Sequence, residues 1–240
     1  MPTPERQIDL QGEQVTYRVV ESDRASKVRI DAGLKGIKLV VPENARVDPD
    51  AVIADNAAWV LRQRDKYDRY RDAIPERRFE EGETFPVLGT ERRLEVTGML
   101  WSLITNEAIK LAQRRVNASS IREELERLYR EEARRHFTRR AAHYCDALGV
   151  EYEQMQIRNQ KTRWGSYSPR TGTLSLNWRL LMAPPDVVDY VIVHELAHAE
   201  YPNHGPRFWR LVAQHVPDYE AKNAWLKENS PRLIYSREDW

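Results

Sequence analysis

The feature that most constrains the fold is a helical segment that is apolar on nearly every side. Between residues 187 and 199 the only charged side chains are Asp189 and Glu195. A helix without a polar face is expected to be buried by its neighbours. The same segment carries His194 and His198, so two imidazoles and a carboxylate are expected in an interior where unpaired polar groups are costly.

The two histidines lie four residues apart, so both leave one face of the helix about one turn apart. Two imidazoles so placed can bind one divalent ion, at zinc–nitrogen distances of about 2.0–2.1 Å. Glu195 is displaced around the helix from His194 and His198 and can reach a water on the metal. This is the His-Glu-x-x-His arrangement of metal-dependent hydrolases. The alternative is a pair of hydrogen-bonded core histidines, but a metal ion would relieve the cost of burying them.

A catalytic zinc needs a third protein ligand and keeps its fourth position open for water. The preferred candidate is His204, six residues beyond His198, because Pro202, Gly205 and Pro206 can break the helix and turn the chain back. The other candidates are Glu200, His215 and Glu220. Zinc is the expected ion for a three-histidine site, although Ni²⁺ or Co²⁺ could occupy the same ligands.

The pattern along the chain predicts an α+β protein in two parts. Residues 1–115 contain short β-branched runs and one helical stretch, which indicates an antiparallel, β-rich N-terminal part with one packed helix. Residues 116–240 begin with a capping box at Ser120 and about 28 residues of helix, followed by a small sheet and further helices. The strand at Thr173–Leu176 is a candidate edge for an extended substrate.

Composition narrows the class further. With 38 Lys and Arg against 37 Asp and Glu, the net charge of +1 does not support a nucleic-acid partner. The single cysteine, Cys145, excludes a disulfide framework and a cysteine-ligated metal site, and it suits a reducing compartment. No run approaches about 18 apolar residues, and the first residues lack the apolar core of a secretion signal. A cytoplasmic protein without a membrane span is therefore expected.

Four motifs resemble, in this order, those of the YgjP-like metallopeptidase family, which is related to the SprT-like and WLM metalloproteases. They are residues 161–166 (KTRWGS), 176–180 (LNWRL), 189–198 (DYVIVHELAH) and 203–209 (NHGPRFW). The resemblance implies a zincin-like fold of the minigluzincin type, with metal ligands from the active-site helix and from the next helix, and it supports His204. The family often has cysteine after Trp-Gly-Ser; Tyr167 stands here, which excludes a catalytic thiol at that position.

These residues favour a zinc-dependent hydrolase, in the first place a metallopeptidase in which Glu195 takes a proton from a metal-bound water. The alternative is a metal-dependent hydrolase of nucleotides or other phosphoanhydrides, such as a nucleoside triphosphate pyrophosphatase. The basic residues Lys161, Arg163 and Arg158 are candidate ligands for an anionic substrate group. In a third hypothesis the protein is not an enzyme: its N-terminal β-rich part is a binding module, and the metal is purely structural with Glu200 or Glu220 as a fourth protein ligand. Candidates to stabilise an oxyanion are Tyr167, Tyr190 and Tyr201.

Overall fold

A computed structural model describes residues 5–160 and 163–235, and the chain divides into two units after Pro75. Each unit combines helices with sheet and has its own cluster of buried apolar side chains. The predicted α+β class is confirmed. No helix in the described ranges is both long enough and apolar enough to cross a membrane.

The first unit is built on a four-stranded sheet. Its strands are β1 (Glu5–Leu10), β2 (Glu13–Ser22), β3 (Arg29–Gly33) and β4 (Gly36–Pro42). They lie in the order β1-β2-β4-β3, and the central pair, β2 and β4, runs parallel. The sheet is therefore mixed, not antiparallel as predicted, because the chain crosses over after β2 instead of turning directly back.

Two short helices complete this unit where the sequence predicted one. They are α1 (Pro49–Asp55) and α2 (Ala57–Asp72). The Asp48 carboxylate caps α1 by accepting the backbone N–H of Asp50 at 3.0 Å, and Pro49 occupies the first helical position. Asn56 separates the two helices. The buried apolar residues of the unit are Leu10, Val15, Tyr17, Ile37, Leu39, Val41, Ile53, Val60 and Leu61.

The second unit begins at Glu76 and contains another four-stranded sheet with the same topology. Its strands are β5 (Thr84–Val87), β6 (Thr90–Thr97), β7 (Leu103–Ile104) and β8 (Ala108–Ala112). The order is β5-β6-β8-β7, and β6 and β8 run parallel. Phe85, Leu94 and Ile109 share one core with residues far along the chain. The boundary expected between residues 115 and 116 thus lies inside this unit, because the sheet and the long helix bury the same apolar surface.

The helices α3 (Gln113–Ala118) and α4 (Ile121–Leu148) follow this sheet. The predicted capping box forms at the start of α4, where the Ser120 hydroxyl accepts the Glu123 backbone N–H at 3.1 Å. Gly149 ends the helix with φ of +68°, a conformation that glycine adopts without strain. The 28-residue length of α4 agrees with the prediction.

A three-stranded sheet lies beside the candidate site. It consists of β9 (Gln154–Arg158), β10 (Gly165–Ser168) and β11 (Thr173–Asn177), in the order β10-β11-β9. The expectation that Thr173–Leu176 forms an edge is wrong, because β11 pairs with β10 on one side and with β9 on the other. Among the described strands, β10 is the one beside the candidate site that pairs on one side only.

The remaining helices are a 3₁₀ turn (Trp178–Met182), α5 (Pro185–Ala197), α6 (Pro206–His215), α7 (Tyr219–Asn229) and a second 3₁₀ turn (Ser230–Leu233). The β5–β6 turn supports the start of α5, since the N–H groups of Leu88 and Gly89 donate to the carbonyls of Leu181 and Met182 at 2.6 and 3.3 Å. On α4, the Arg140 guanidinium binds both carboxylate oxygens of Asp189 at 2.6 and 2.7 Å. These contacts hold α5 in the core of the second unit.

Candidate metal centre

The helix α5 is buried along most of its length, as its apolar sequence predicted. It brings His194 and His198 to one side, with their ring centroids 5.3 Å apart. His198 is the residue at which the helix ends, and its Nδ1 lies 3.0 Å from the carbonyl oxygen of Tyr201. When Nδ1 carries the proton, its N–H donates to that carbonyl. The lone pair on Nε2 of His198 is then free to bind a metal ion.

His204 lies in the segment between α5 and α6, and its imidazole is exposed. Its Nε2 atom is 3.0 Å from Nε2 of His194. Two nitrogens bound to one zinc in tetrahedral geometry are about 3.3 Å apart. The Nε2–Nε2 distance is close to this value, so the two imidazoles are spaced as ligands of one ion would be. Ligand atoms of His194, His198 and His204 all lie within 4.8 Å of one another, and no other such group of three occurs among residues 5–160 and 163–235.

The other residues considered as third ligand are not part of this group. Glu200 and Glu220 are exposed, and Glu220 accepts a hydrogen bond from the Tyr219 hydroxyl at 3.3 Å. His215 is the last residue of α6. None of the three joins the histidines in a set of convergent ligand atoms within the part of the chain that the structure describes. The donor set of three imidazoles suits zinc, nickel or cobalt.

Aromatic side chains from α6 form the floor of the site. The ring of Phe208 is fully buried and lies 4.7–5.0 Å from all three imidazole centroids. Trp209 stacks on His204 at 5.7 Å and 28°. It also stacks on Tyr219 of α7, at 4.9 Å and 17°. The exposed His204 ring is therefore held by stacking.

The surroundings favour neutral imidazoles, which are the form that binds metal. Burial, together with the neighbouring His198 and His204, lowers the pKa of His194 to about 4. Burial and His198 also lower the pKa of His204. The Nδ1 atom of His194 is buried and has no hydrogen-bond partner among the described residues.

Glu195 lies beside the histidines and is 8% exposed. Burial raises its pKa to about 7, while the backbone N–H of Tyr167 and the Arg163 guanidinium act in the opposite direction. Gly165 of β10 makes this position possible. A Cβ atom on Gly165 would lie 2.6 Å from Cγ of Glu195, closer than any real contact, so only glycine lets the strand pass over the carboxylate.

A cleft of about 390 Å³ exposes the three imidazoles and Glu195 beside β10. Arg163 lines this cleft, as the sequence analysis expected of a substrate ligand. Arg158 does not line it and instead donates to the side-chain oxygen of Gln156. Lys161 lies outside the described residues.

The structure separates the three tyrosines proposed as oxyanion donors. The hydroxyl of Tyr167 donates to the carbonyl of Glu151 at 3.2 Å, which directs it away from Glu195. Tyr201 offers its backbone carbonyl to His198. Tyr190 lines a second cavity beside Glu195. Neither the contact of Phe208 with the imidazoles nor that of Gly165 with Glu195 was predicted from the sequence, although both residues lie within the motifs at 203–209 and 161–166.

Three convergent imidazoles beside a buried carboxylate form the kind of site that metal-dependent hydrolases have. The sequence model of the YgjP-like metallopeptidase domain matches residues 24–229, and the chain belongs to this family. The nucleotide alternative has no support from the family, whose class is peptidase.

Two solved structures are similar to parts of the chain. Both are metallopeptidase zymogens: abylysin of Pyrococcus abyssi, at 23% identity and a TM-score of 0.37, and jannalysin of Methanocaldococcus jannaschii, at 23% identity and a TM-score of 0.34. The matches cover 41% and 37% of this chain and 99% and 94% of theirs. A comparison with curated proteins finds no match to this chain.

Proposed function

We propose that this protein is a zinc-dependent peptidase whose ion is held by His194, His198 and His204. The observation that carries the proposal is the convergence of their ligand atoms within 4.8 Å, next to a buried carboxylate on the same helix. Bound there, a divalent ion supplies Lewis acidity, which lowers the pKa of water and polarises a carbonyl. No carboxylate or cysteine joins the three histidines as a fourth ligand among the described residues, which supports a catalytic rather than a closed structural site.

Glu195 is the general base of this proposal. It takes a proton from the attacking water and returns it to the leaving amine, so the carboxylate is regenerated in each cycle. A pKa that burial raises towards 7 suits both transfers near neutral pH. Gly165 positions Glu195 by leaving room for its side chain under β10.

A peptide substrate is favoured by the position of β10. This strand pairs with β11 on one side, and among the described strands none pairs with its other edge. Ser166 and Tyr167 of β10 line the cleft with Glu195, so an extended peptide on this edge would lie across the predicted ligands. Of the three basic residues considered as substrate ligands, Arg163 is the one with support, while Arg158 and Lys161 stay predictions.

Metal analysis and paired assays test the proposal. Wild-type protein should bind about one zinc per chain, and His204→Ala should lose most of it. Zinc-loaded protein should degrade casein and leave nucleoside triphosphates intact, and Glu195→Gln should lower proteolysis by about 10²–10⁴-fold while zinc stays bound. Turnover of nucleoside triphosphates without proteolysis, abolished by Glu195→Gln, would reverse the choice of substrate.

The cytoplasmic location stays a prediction, with the lone Cys145 as its support.

A further inference from the structure

A second cavity, of about 240 Å³, lies on the other side of Glu195. It is an open depression lined by α5, α7, residues 163–165 and Ser230, and it shares Arg163, Gly165, His194 and Glu195 with the cleft. Its apolar walls include Tyr190, Val191 and Leu226, each no more than 5% exposed. The volume is below the roughly 300–1,000 Å³ of sites for drug-sized ligands, so it suits a single side chain or chain end.

The polar groups on these walls are mostly hydrogen-bond donors. Arg163 offers only N–H donors, whereas Asn223 offers an amide NH₂ beside its carbonyl oxygen and Tyr190 a hydroxyl that can donate or accept. Within residues 5–160 and 163–235, none of these three side-chain polar groups has a hydrogen-bond partner. Glu195 is the only carboxylate on the described walls, where Lys227 also lies. Acceptors are therefore scarcer than donors in this cavity.

A surplus of donors in an apolar cavity is complementary to an acceptor, and the strongest acceptor in a peptide is a carboxylate. The planar guanidinium of Arg163 can bind both carboxylate oxygens, while hydroxyl and amide donors complete the shell. A basic side chain would meet the like charge of Arg163. An uncharged apolar side chain would leave the donors of Arg163 and Asn223 without partners, which lowers its affinity.

We propose that this cavity binds the carboxylate of a substrate residue next to the scissile bond, with Arg163, Asn223 and Tyr190 as its donors. This inference rests on the proposed peptidase function and specifies its substrate class. The carboxylate comes either from an acidic side chain or from the C-terminus of the peptide, and both have the same chemistry. It must belong to a residue near the scissile bond, because His194 and Glu195 form one wall of the cavity.

Matched peptides separate the two sources. One pair has Glu or Gln beside the scissile bond, and the other ends there as a free acid or an amide. We expect kcat/KM to be at least about 10-fold higher for the carboxylate member of one pair, and that pair identifies the source. The ratio should fall below about 3-fold in Arg163→Gln and persist in Arg170→Gln, a matched change at the exposed β10–β11 turn. Equal rates in both pairs would overturn the proposal while leaving the peptidase function intact.

Binding tests the same site without turnover. Trp164 lines the cavity, so the NMR signal of its indole N–H in zinc-loaded protein, assigned through Trp164→Phe, reports occupancy. N-acetylglutamate or N-acetylleucine should shift this signal saturably, whereas N-acetylglutamine and N-acetylleucinamide should not. Arg163→Gln and Asn223→Ala should each weaken binding about 10-fold.

The outcomes of the NMR experiment distinguish the two proposals. Carboxylate binding that persists unchanged in both variants would reflect the metal alone and would overturn the cavity proposal, as would the absence of any shift. Saturable binding that depends on Arg163 and Asn223, in a protein that cleaves no peptide, would support the carboxylate site and refute the peptidase function.

Discussion

Two segments supply the three predicted ligands, and they are built very differently. The helix α5 is regular and buried, so its periodicity alone brings His194 and His198 to one side. The segment that carries His204 is an exposed connection between α5 and α6. Its imidazole is held by the ring of Trp209, which in turn stacks on Tyr219. One half of the site thus depends on local helix geometry and the other on packing between helices.

The two segments should therefore respond differently to substitution. Substitutions in α5 should affect both the metal and the core around it, because its side chains are buried in the second unit. Substitutions around His204 should affect the metal and leave the core largely unchanged. Substitutions of the ligands, Glu195, Gly165 and Trp209 test this contrast, and removal of a ligand has the largest expected effect.

Removing either type of ligand should lower zinc affinity on the order of 1000-fold. About 12 kcal/mol of binding free energy shared by three ligands is roughly 4 kcal/mol for each. The metal-free variants should differ, however. His204→Ala should change the free energy of unfolding by less than about 0.5 kcal/mol, whereas His198→Ala should cost about 1–2 kcal/mol through its bond to Tyr201 and its packing.

Zinc competition titrations and urea unfolding measure these two quantities. Full zinc affinity in His204→Ala would contradict its assignment as a ligand. Equal losses of stability in the metal-free His198→Ala and His204→Ala variants would remove the contrast between the buried and the exposed segment.

Glu195 should make the stability of the metal-free protein depend on pH. Burial raises its pKa from 4.5 to about 7, so the folded state favours the protonated carboxyl. The corresponding stability is fully present below pH 4.5 and is lost as the pH rises through 7, by about 3 kcal/mol in total.

The Glu195→Gln substitution removes this titration and leaves His194, His198 and His204 in place. Relative to wild type, the metal-free variant should gain about 3 kcal/mol in free energy of unfolding between pH 4.5 and pH 8, as followed by denaturant titration at several pH values. A stability difference that stays constant over this range would show that Glu195 is not desolvated in the folded state.

Gly165→Ala should lower peptidase activity by roughly 10–100-fold, because a misplaced catalytic group has an effect of that order. The added Cβ would lie 2.6 Å from Cγ of Glu195 and must displace either the strand or the carboxylate. Zinc content should not change, since the three atoms nearest to the added Cβ all belong to Glu195 and none to an imidazole. Gly98→Ala is the matched control, as a Cβ there meets no atom within 4 Å. Equal activity of the two variants would disprove the positioning role of Gly165.

The smallest expected effect belongs to the aromatic stack. Trp209→Ala should weaken zinc binding about 10-fold, the lower end of the range for groups that orient a metal ligand. Trp209→Phe should recover most of that loss, since it retains a ring against His204. Trp225→Ala, on the neighbouring helix α7 and partly buried against the same core, should leave zinc affinity unchanged. If both alanine variants weaken zinc binding equally, general packing rather than the stack accounts for the effect.

The sequence predicted the elements of the fold better than their arrangement. The 28-residue helix from Ile121 was predicted because its cap at Ser120 and its apolar spacing are local features. The strand β1 was not, since only Ile8 and Leu10 of its six residues are apolar. The parallel pairs β2–β4 and β6–β8 also escaped prediction, because the order of strands depends on contacts between distant residues.

In the candidate site, too, local features were predicted from the sequence and contacts between distant residues were not. His194, Glu195 and His198 were identified from their spacing, which a helix converts directly into shared orientation. Asn223 escaped notice because α7 reaches the wall of the second cavity only after the helices pack. The role of Gly165 was hidden as well, since the Trp-Gly-Ser motif does not reveal that a carboxylate from α5 lies against it.

From the amino-acid sequence alone follow a buried helix with two imidazoles and a carboxylate at His-Glu-x-x-His spacing, and the family to which the chain belongs. How His204 approaches that pair, which of the described strands beside it pairs on one side only, and which residues line the second cavity depend on the packing of separate elements. The physical reason is that helical periodicity acts over a few residues. The approach of His204, β10 and α7 to α5 depends instead on how separate elements bury their apolar surfaces together.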